Sequence, residues 1–255
     1  MEKTGQTAIK VGIIDADLFN KTKHRFPNLV CMKLSAHHKE LGDSVSLLMD
    51  YKDIPKYDIV YIAKVFTDTE VPEGVLDLPN VRYGGTGFFY DKAPKLAYEI
   101  EHHFPDYDLY NDWVQEQLES GKVSKVDLKF YTDYSIGFLT RGCFRHCPFC
   151  VNKNYNRVEA HSPLKEFLDP KRKKICMLDD NFLGFSGWEE LLMELRETKK
   201  PFLFKQGLDE RLLDDKRCSL LFSSRYDGDF TFAFDNLADK QIIEKKNSSA
   251  KKIYQ

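Results

Sequence analysis

Short apolar runs, each followed by a turn and a helical stretch, recur in two series along this chain, and that alternation constrains its fold more than any other feature. When strands alternate with helices, neighbouring strands pair in parallel and the helices cover the sheet faces, which makes the protein α/β. The first series holds IKVGIID (9–15), DSVSLL (43–48), YDIVYIAKVF (57–66) and NVRYGGTGFF (80–89). A helix is expected over 26–42, with Pro27 near its start and Gly42 just past its end. His37 and His38 fall inside it and read as ordinary surface or packed histidines.

The second series holds YSIGFLT (134–140), KKICMLDDNF (173–182), PFLFKQGLD (201–209) and DFTFAFDN (229–236). Between its second and third strands, Trp188, Leu191, Leu192 and Leu195 form one apolar stripe, with Ser186 and Glu189 spaced as a capping box. A further helix is expected over 212–224. Between the two series the periodicity weakens, and HHFPDYDLYNDW (102–113) with ESGKVSKVDLK (119–129) reads as a connector. The expected organisation is an open-sheet domain over 1–100, a connector over 101–133, a β/α domain over 134–240 and a polar tail over 241–255. Four strands leave a parallel sheet with an exposed edge, so the second domain is expected to be a partial barrel, truncated after about four strands.

Composition narrows the partners. With 42% hydrophobic residues and a net charge of -2, the chain gives no charge argument for a nucleic-acid or membrane partner. A nucleic acid stays possible without being indicated. No apolar run spans a bilayer, and MEKTGQTAIK lacks the apolar core of a signal peptide, so a cytoplasmic location is expected. Thiols stay reduced there, and clustered cysteines point to metal or redox chemistry.

Three of the six cysteines, Cys143, Cys147 and Cys150, lie within RGCFRHCPFC (141–150), directly after the first strand of the second series. Thiolates at this spacing on one loop can wrap an iron–sulfur cube from one side, leaving one iron open. Zinc is the rival, with His146 completing a Cys₃His set. Structural zinc sites usually draw ligands from two knuckles, and no second knuckle is present. Three unrelated buried cysteines fit poorly with Arg141, Gly142, Arg145 and His146, which make the loop polar.

Cys-x₃-Cys-x-Phe-Cys, led by LTRGC, resembles the radical S-adenosylmethionine superfamily, and the lead-in is similar to that of its cobalamin-associated and methylthiotransferase-like branches. The resemblance implies a [4Fe–4S] cluster on Cys143, Cys147 and Cys150, with S-adenosylmethionine on the open iron. It also implies an electron donor such as a flavodoxin or ferredoxin. The reaction implied is cleavage of the cofactor to a 5′-deoxyadenosyl radical, with methyl or methylthio transfer as the leading subtype and no substrate named. Phe149 is expected near the adenine or, equally, as a core aromatic. Asp179, Asp180 and Asn181 stand where the superfamily has a Gly-Gly-Glu motif that holds the methionine amine. Gln206, Asp209 and Asp235 could reach a ribose or a substrate, and turn or cap roles are open to each.

The first series then resembles a Rossmann-like, cobalamin-binding domain. Its first loop, DADLFNKTKH, lacks the Asp-x-His-x-x-Gly histidine, so the expectation is that fold with its cobalamin lost. Gly84, Gly85 and Gly87 could admit a cofactor or simply make a tight turn. The whole-chain pattern is similar to little-characterised radical S-adenosylmethionine proteins of anaerobic bacteria and their phages. The alternative kept open is a truncated, non-catalytic module that binds an iron–sulfur cluster or zinc.

Overall fold

The computed structural model describes residues 7–20, 26–233, 239–242 and 244, and divides the chain into two units, Met1–Thr132 and Asp133–Gln255. The first unit is built on four parallel strands: β1 (Lys10–Asp15), β2 (Ser44–Leu47), β3 (Ile59–Ala63) and β4 (Val81–Gly84), in the order β2-β1-β3-β4. Val11 lies opposite Val45 on one side and Ile59 on the other. Alternation along β1 serves both faces, with Val11 and Ile13 in one core cluster and Ile14 in another. Gly12 leaves the room that Leu48 fills, since a Cβ there would stand 2.6 Å from Leu48 Cδ1.

Helix α1 (Leu29–Leu41) covers one face. Its cap is Asn28, one residue beyond Pro27, and Asn28 Oδ1 accepts from the amides of Val30 and Cys31. Gly42, at φ 90°, closes the helix by donating to the His38 and Lys39 carbonyls. His38 is packed, sharing hydrogen bonds with Asp43 at 2.7 Å and Tyr61 at 3.1 Å. That bond, with the Ile9 amide, holds the Asp43 carboxyl below its usual range.

Several residues within 104–131 join the core of this unit. Helix α2 (Asn111–Glu119) brings Trp113 and Val114 inward, and Tyr107, Leu109, Tyr110, Leu128 and Tyr131 bury against β1 and α1. Tyr110 is a keystone: its hydroxyl accepts the Asn28 amide at 3.1 Å and donates to Asp15 at 2.9 Å.

In the second unit, β5 (Tyr134–Gly137) leads to a short antiparallel pair, β6 (Thr140–Arg141) and β7 (Glu159–Ala160). Strands β8 (Lys174–Met177) and β9 (Phe202–Phe204) complete a parallel three-stranded sheet, in the order β5-β8-β9. Helix α3 (Trp188–Glu197) buries Trp188, Leu192 and Leu195, the stripe expected from sequence, and α4 (Asp215–Phe222) buries Cys218 and Leu221. The capping box does not form. Gly187 is the cap, with no side-chain cap bond, and Glu189 instead pairs with Lys216.

Of the fourth expected strand, 229–236, residues 229–233 are described, and they form no regular ladder: one isolated parallel bridge joins Leu208 to Phe232, and a second, just upstream, joins Phe202 to Tyr226. The ladder breaks because the chain turns after Phe204, through Gly207 at φ 82°, and again at Gly228 at φ 88°. Asp235 lies outside the described residues. Mixed α/β architecture with a four-stranded parallel sheet is thus the observed fold class.

Candidate metal centre

Parallel pairing brings the carboxyl ends of β5, β8 and β9 to one edge, with Gly137 opposite Met177 and Met177 opposite Phe204. In α/β sheets this edge is where ligands bind. Three segments leave it: the cysteine loop after β5, Leu178–Asn181 after β8, and 205–211 after β9.

The cysteine loop begins at Gly142, whose φ of 96° and close approach to the Arg157 carbonyl admit no side chain, because a Cβ would lie 2.4 Å from that oxygen. Cys143, Cys147 and Cys150 form no disulfide and are half-buried, whereas Cys31, Cys176 and Cys218 are buried in the two cores. A turn closes between Cys147 and Cys150, with the Cys150 amide donating to the Cys147 carbonyl at 3.0 Å. Two sulfurs accept N–H donors at 3.4 Å: Cys143 from Asn181 Nδ2, and Cys150 from the Asn152 amide.

The Leu178–Asn181 segment is tied to this loop residue by residue. Asp179 is buried and accepts from the Thr140 amide and hydroxyl, both at 2.7 Å, and from the Leu139 amide at 3.3 Å. Burial pushes its carboxyl up to about 7 against those hydrogen bonds. Asp180 brackets the cysteines: it accepts the Gly142 amide on one side and Asn152 Nδ2 on the other, both at 2.7 Å. Arg141 pairs with it at 3.5 Å. Asn181 is buried, donates to Cys143 and to Asp209, and keeps one buried oxygen, Oδ1, without a partner among the described residues.

The third segment completes the network. Asp209 caps the 210–212 turn and accepts from Arg211 Nε and Arg145 Nε, each at 2.6 Å. Against its burial, these guanidiniums hold its carboxyl below the usual range. Arg145 lies between Cys143 and Cys147, so Asp209 anchors the middle of the loop while Asp180 anchors its ends.

Of the residues singled out in the sequence, Cys143, Asn181 and Asp209 are therefore joined by direct hydrogen bonds, while Asp179 and Asp180 hold the backbone around the same loop. Gln206 is exposed in the turn after β9, and Phe149 is 61% exposed. Asn152 and Arg145 join the network without having been singled out as site residues. Two arginines among the cysteines were the available signal, because half-buried guanidiniums need carboxylates and the strand ends supply them. Among the described residues, no three His, Cys, Asp or Glu side chains converge on one ion. His146 is exposed and its Nδ1 donates to the Lys153 carbonyl at 2.7 Å.

In the first unit, the glycine turn is explained by packing. A Cβ on Gly85 would meet the Lys64 carbonyl oxygen at 2.3 Å, and one on Gly87 the Lys64 side chain at 2.5 Å. The oxygens of Asp17, in the first loop of this unit, accept from the Thr69 hydroxyl and the Val65 amide.

No helix among the described residues is long and apolar enough to cross a membrane. No family model and no curated protein matches the sequence. Two solved structures do, both of the cobalamin-dependent S-adenosylmethionine radical enzyme OxsB. The one with aqua-cobalamin and S-adenosylmethionine bound matches with a TM-score of 0.55 at 13% identity, over 96% of this chain and 46% of that one. The one with aqua-cobalamin bound matches with a TM-score of 0.54 at 12% identity, over 95% and 47%. This chain thus spans less than half the length of that enzyme, and at such identities the likeness is one of fold.

Proposed function

We propose that this chain is a radical S-adenosylmethionine protein whose second unit is a partial β/α barrel, with Cys143, Cys147 and Cys150 as ligands of a [4Fe–4S] cluster. The observation that carries this reading is the bracket: consecutive residues after β8 hold the start, both ends and one sulfur of a three-cysteine loop. Half-buried thiols outside any disulfide, two of which accept N–H donors, fit thiolate ligands of a cluster. When bound, the cluster and S-adenosylmethionine supply one-electron cleavage of the sulfonium, giving methionine and a 5′-deoxyadenosyl radical that abstracts hydrogen.

The chain's own residues bind and orient. Asp179 fixes the β5 exit, and Asp180 sets the width of the loop. The unpartnered Asn181 Oδ1 is an acceptor suited to the cofactor's ammonium. Asp179 and Asp180 each accept donors from within the protein, whereas Asn181 Oδ1 has no partner among the described residues, which favours Asn181 for that ammonium. A reductant protein such as a flavodoxin or ferredoxin is the proposed partner.

Anaerobic reconstitution with iron and sulfide, followed by EPR of the reduced protein, tests the proposal. The expected result is a [4Fe–4S]⁺ signal that shifts when S-adenosylmethionine is added. A cluster that ignores the cofactor removes the catalytic reading and leaves a structural iron–sulfur module, whereas retained zinc without iron removes both. Asp180→Ala should weaken metal retention about 10- to 100-fold, the usual effect of losing an outer partner of a ligand loop. Iron content after desalting, at an unchanged far-UV spectrum, measures it.

A further inference from the structure

Asn181 opens the turn after β8, yet its side chain makes no cap bond there. Its Nδ2 instead donates to Cys143 Sγ at 3.4 Å and to Asp209 Oδ2 at 3.3 Å. Both partners are acceptors, and both are anionic once Cys143 is a thiolate. A carboxamide turned the other way would set its own oxygen against two anions, so chemistry determines which end faces the sulfur. Asp209 in turn cannot rotate freely, because Arg145 and Arg211 each donate to one of its oxygens at 2.6 Å. The residue is 4% exposed, so water does not compete for these bonds.

From this geometry we infer that Asn181 is a positioning residue that raises the reduction potential of the cluster through its N–H···S bond to Cys143, with Asp209 holding the amide in that sense. The inference rests on the proposed role of the three cysteines. A reducing electron adds negative charge that spreads onto the ligand sulfurs, and an N–H donor aimed at a sulfur stabilises that charge. The Asn152 amide acts on Cys150 in the same way but belongs to the backbone, so Asn181 is the donor that substitution can remove.

The test is an EPR-monitored potentiometric titration of the reconstituted full chain. Asn181→Leu should lower the reduced-to-oxidised ratio at fixed potential about tenfold, equivalent to about 59 mV for one electron. Asp209→Asn, which frees the amide to turn, should move the midpoint in the same direction. An Asn181→Leu protein that carries the same iron content and the same midpoint as the unsubstituted protein overturns the inference. Should that variant fail to hold its cluster, the unsubstituted protein made with side-chain-amide ¹⁵N asparagine decides the matter. A ¹⁵N hyperfine coupling to the reduced cluster is expected, and its absence overturns the inference. A protein that binds no four-iron cluster refutes the proposed function itself, and the inference falls with it.

Discussion

Alanine at Cys143, Cys147 or Cys150, singly, is expected to reduce cluster content after anaerobic reconstitution to background, while alanine at Cys31, Cys176 or Cys218 leaves it unchanged. The contrast follows from placement. The first three are half-buried on one polar loop held by Asp180 and Asp209, and the others lie in the cores at 2% exposure or less. A cube held by three protein thiolates has no spare ligand, so one loss leaves two irons without a protein ligand. Core truncation at the buried positions costs packing energy, about 1 kcal/mol for a group of this size, without touching the loop. Iron and sulfide per chain, with visible absorption, give the readout. Iron retained by Cys143→Ala, or lost by Cys176→Ala, would contradict the assignment.

The second large effect concerns pH. Asp15 is fully buried, accepts from Tyr110, and keeps Oδ1 without a partner among the described residues. Burial pushes its carboxyl up to about 7, with the nearby Asp17 adding to the rise and Tyr110 opposing it. Asp179 in the second unit is likewise pushed up to about 7. Both values exceed the unfolded one, so each group's contribution is fully present below about pH 4. It is lost as pH rises through about 7, because the unfolded chain ionises freely and the native site resists. The loss is up to about 4 kcal/mol per group, three pH units at about 1.4 kcal/mol each. Asp43 runs the other way, but its lowered carboxyl acts only below the ordinary carboxylate range, outside this window. Urea unfolding of the full chain should therefore show lower stability at pH 8 than at pH 5. Asp15→Asn should flatten the dependence of the first unit and Asp179→Asn that of the second. An unchanged slope in both variants would mean that these carboxyls ionise in the native state without penalty.

Much of the architecture was legible because it is local. Strand runs such as KVGIID, the α1 helix with Gly42 at its end, and the Trp188–Leu195 stripe follow from periodicity and from residues near one another in sequence. That residues 229–233 form no ladder was not legible, since DFTFAFDN has a strand's residues but its partner turns away at Gly207. Residues 104–131 were equally opaque, because their aromatics come irregularly and become core only against α1 and β1.

By itself, then, the sequence determined that two parallel α/β series form and that three cysteines share one loop, for periodicity and spacing act over a few residues. Only the tertiary structure decided what Asp179, Asp180 and Asn181 touch. The pairing of Gly137 with Met177 sets that, delivering three polar residues from one strand end onto the loop that leaves another, about forty positions earlier in the chain.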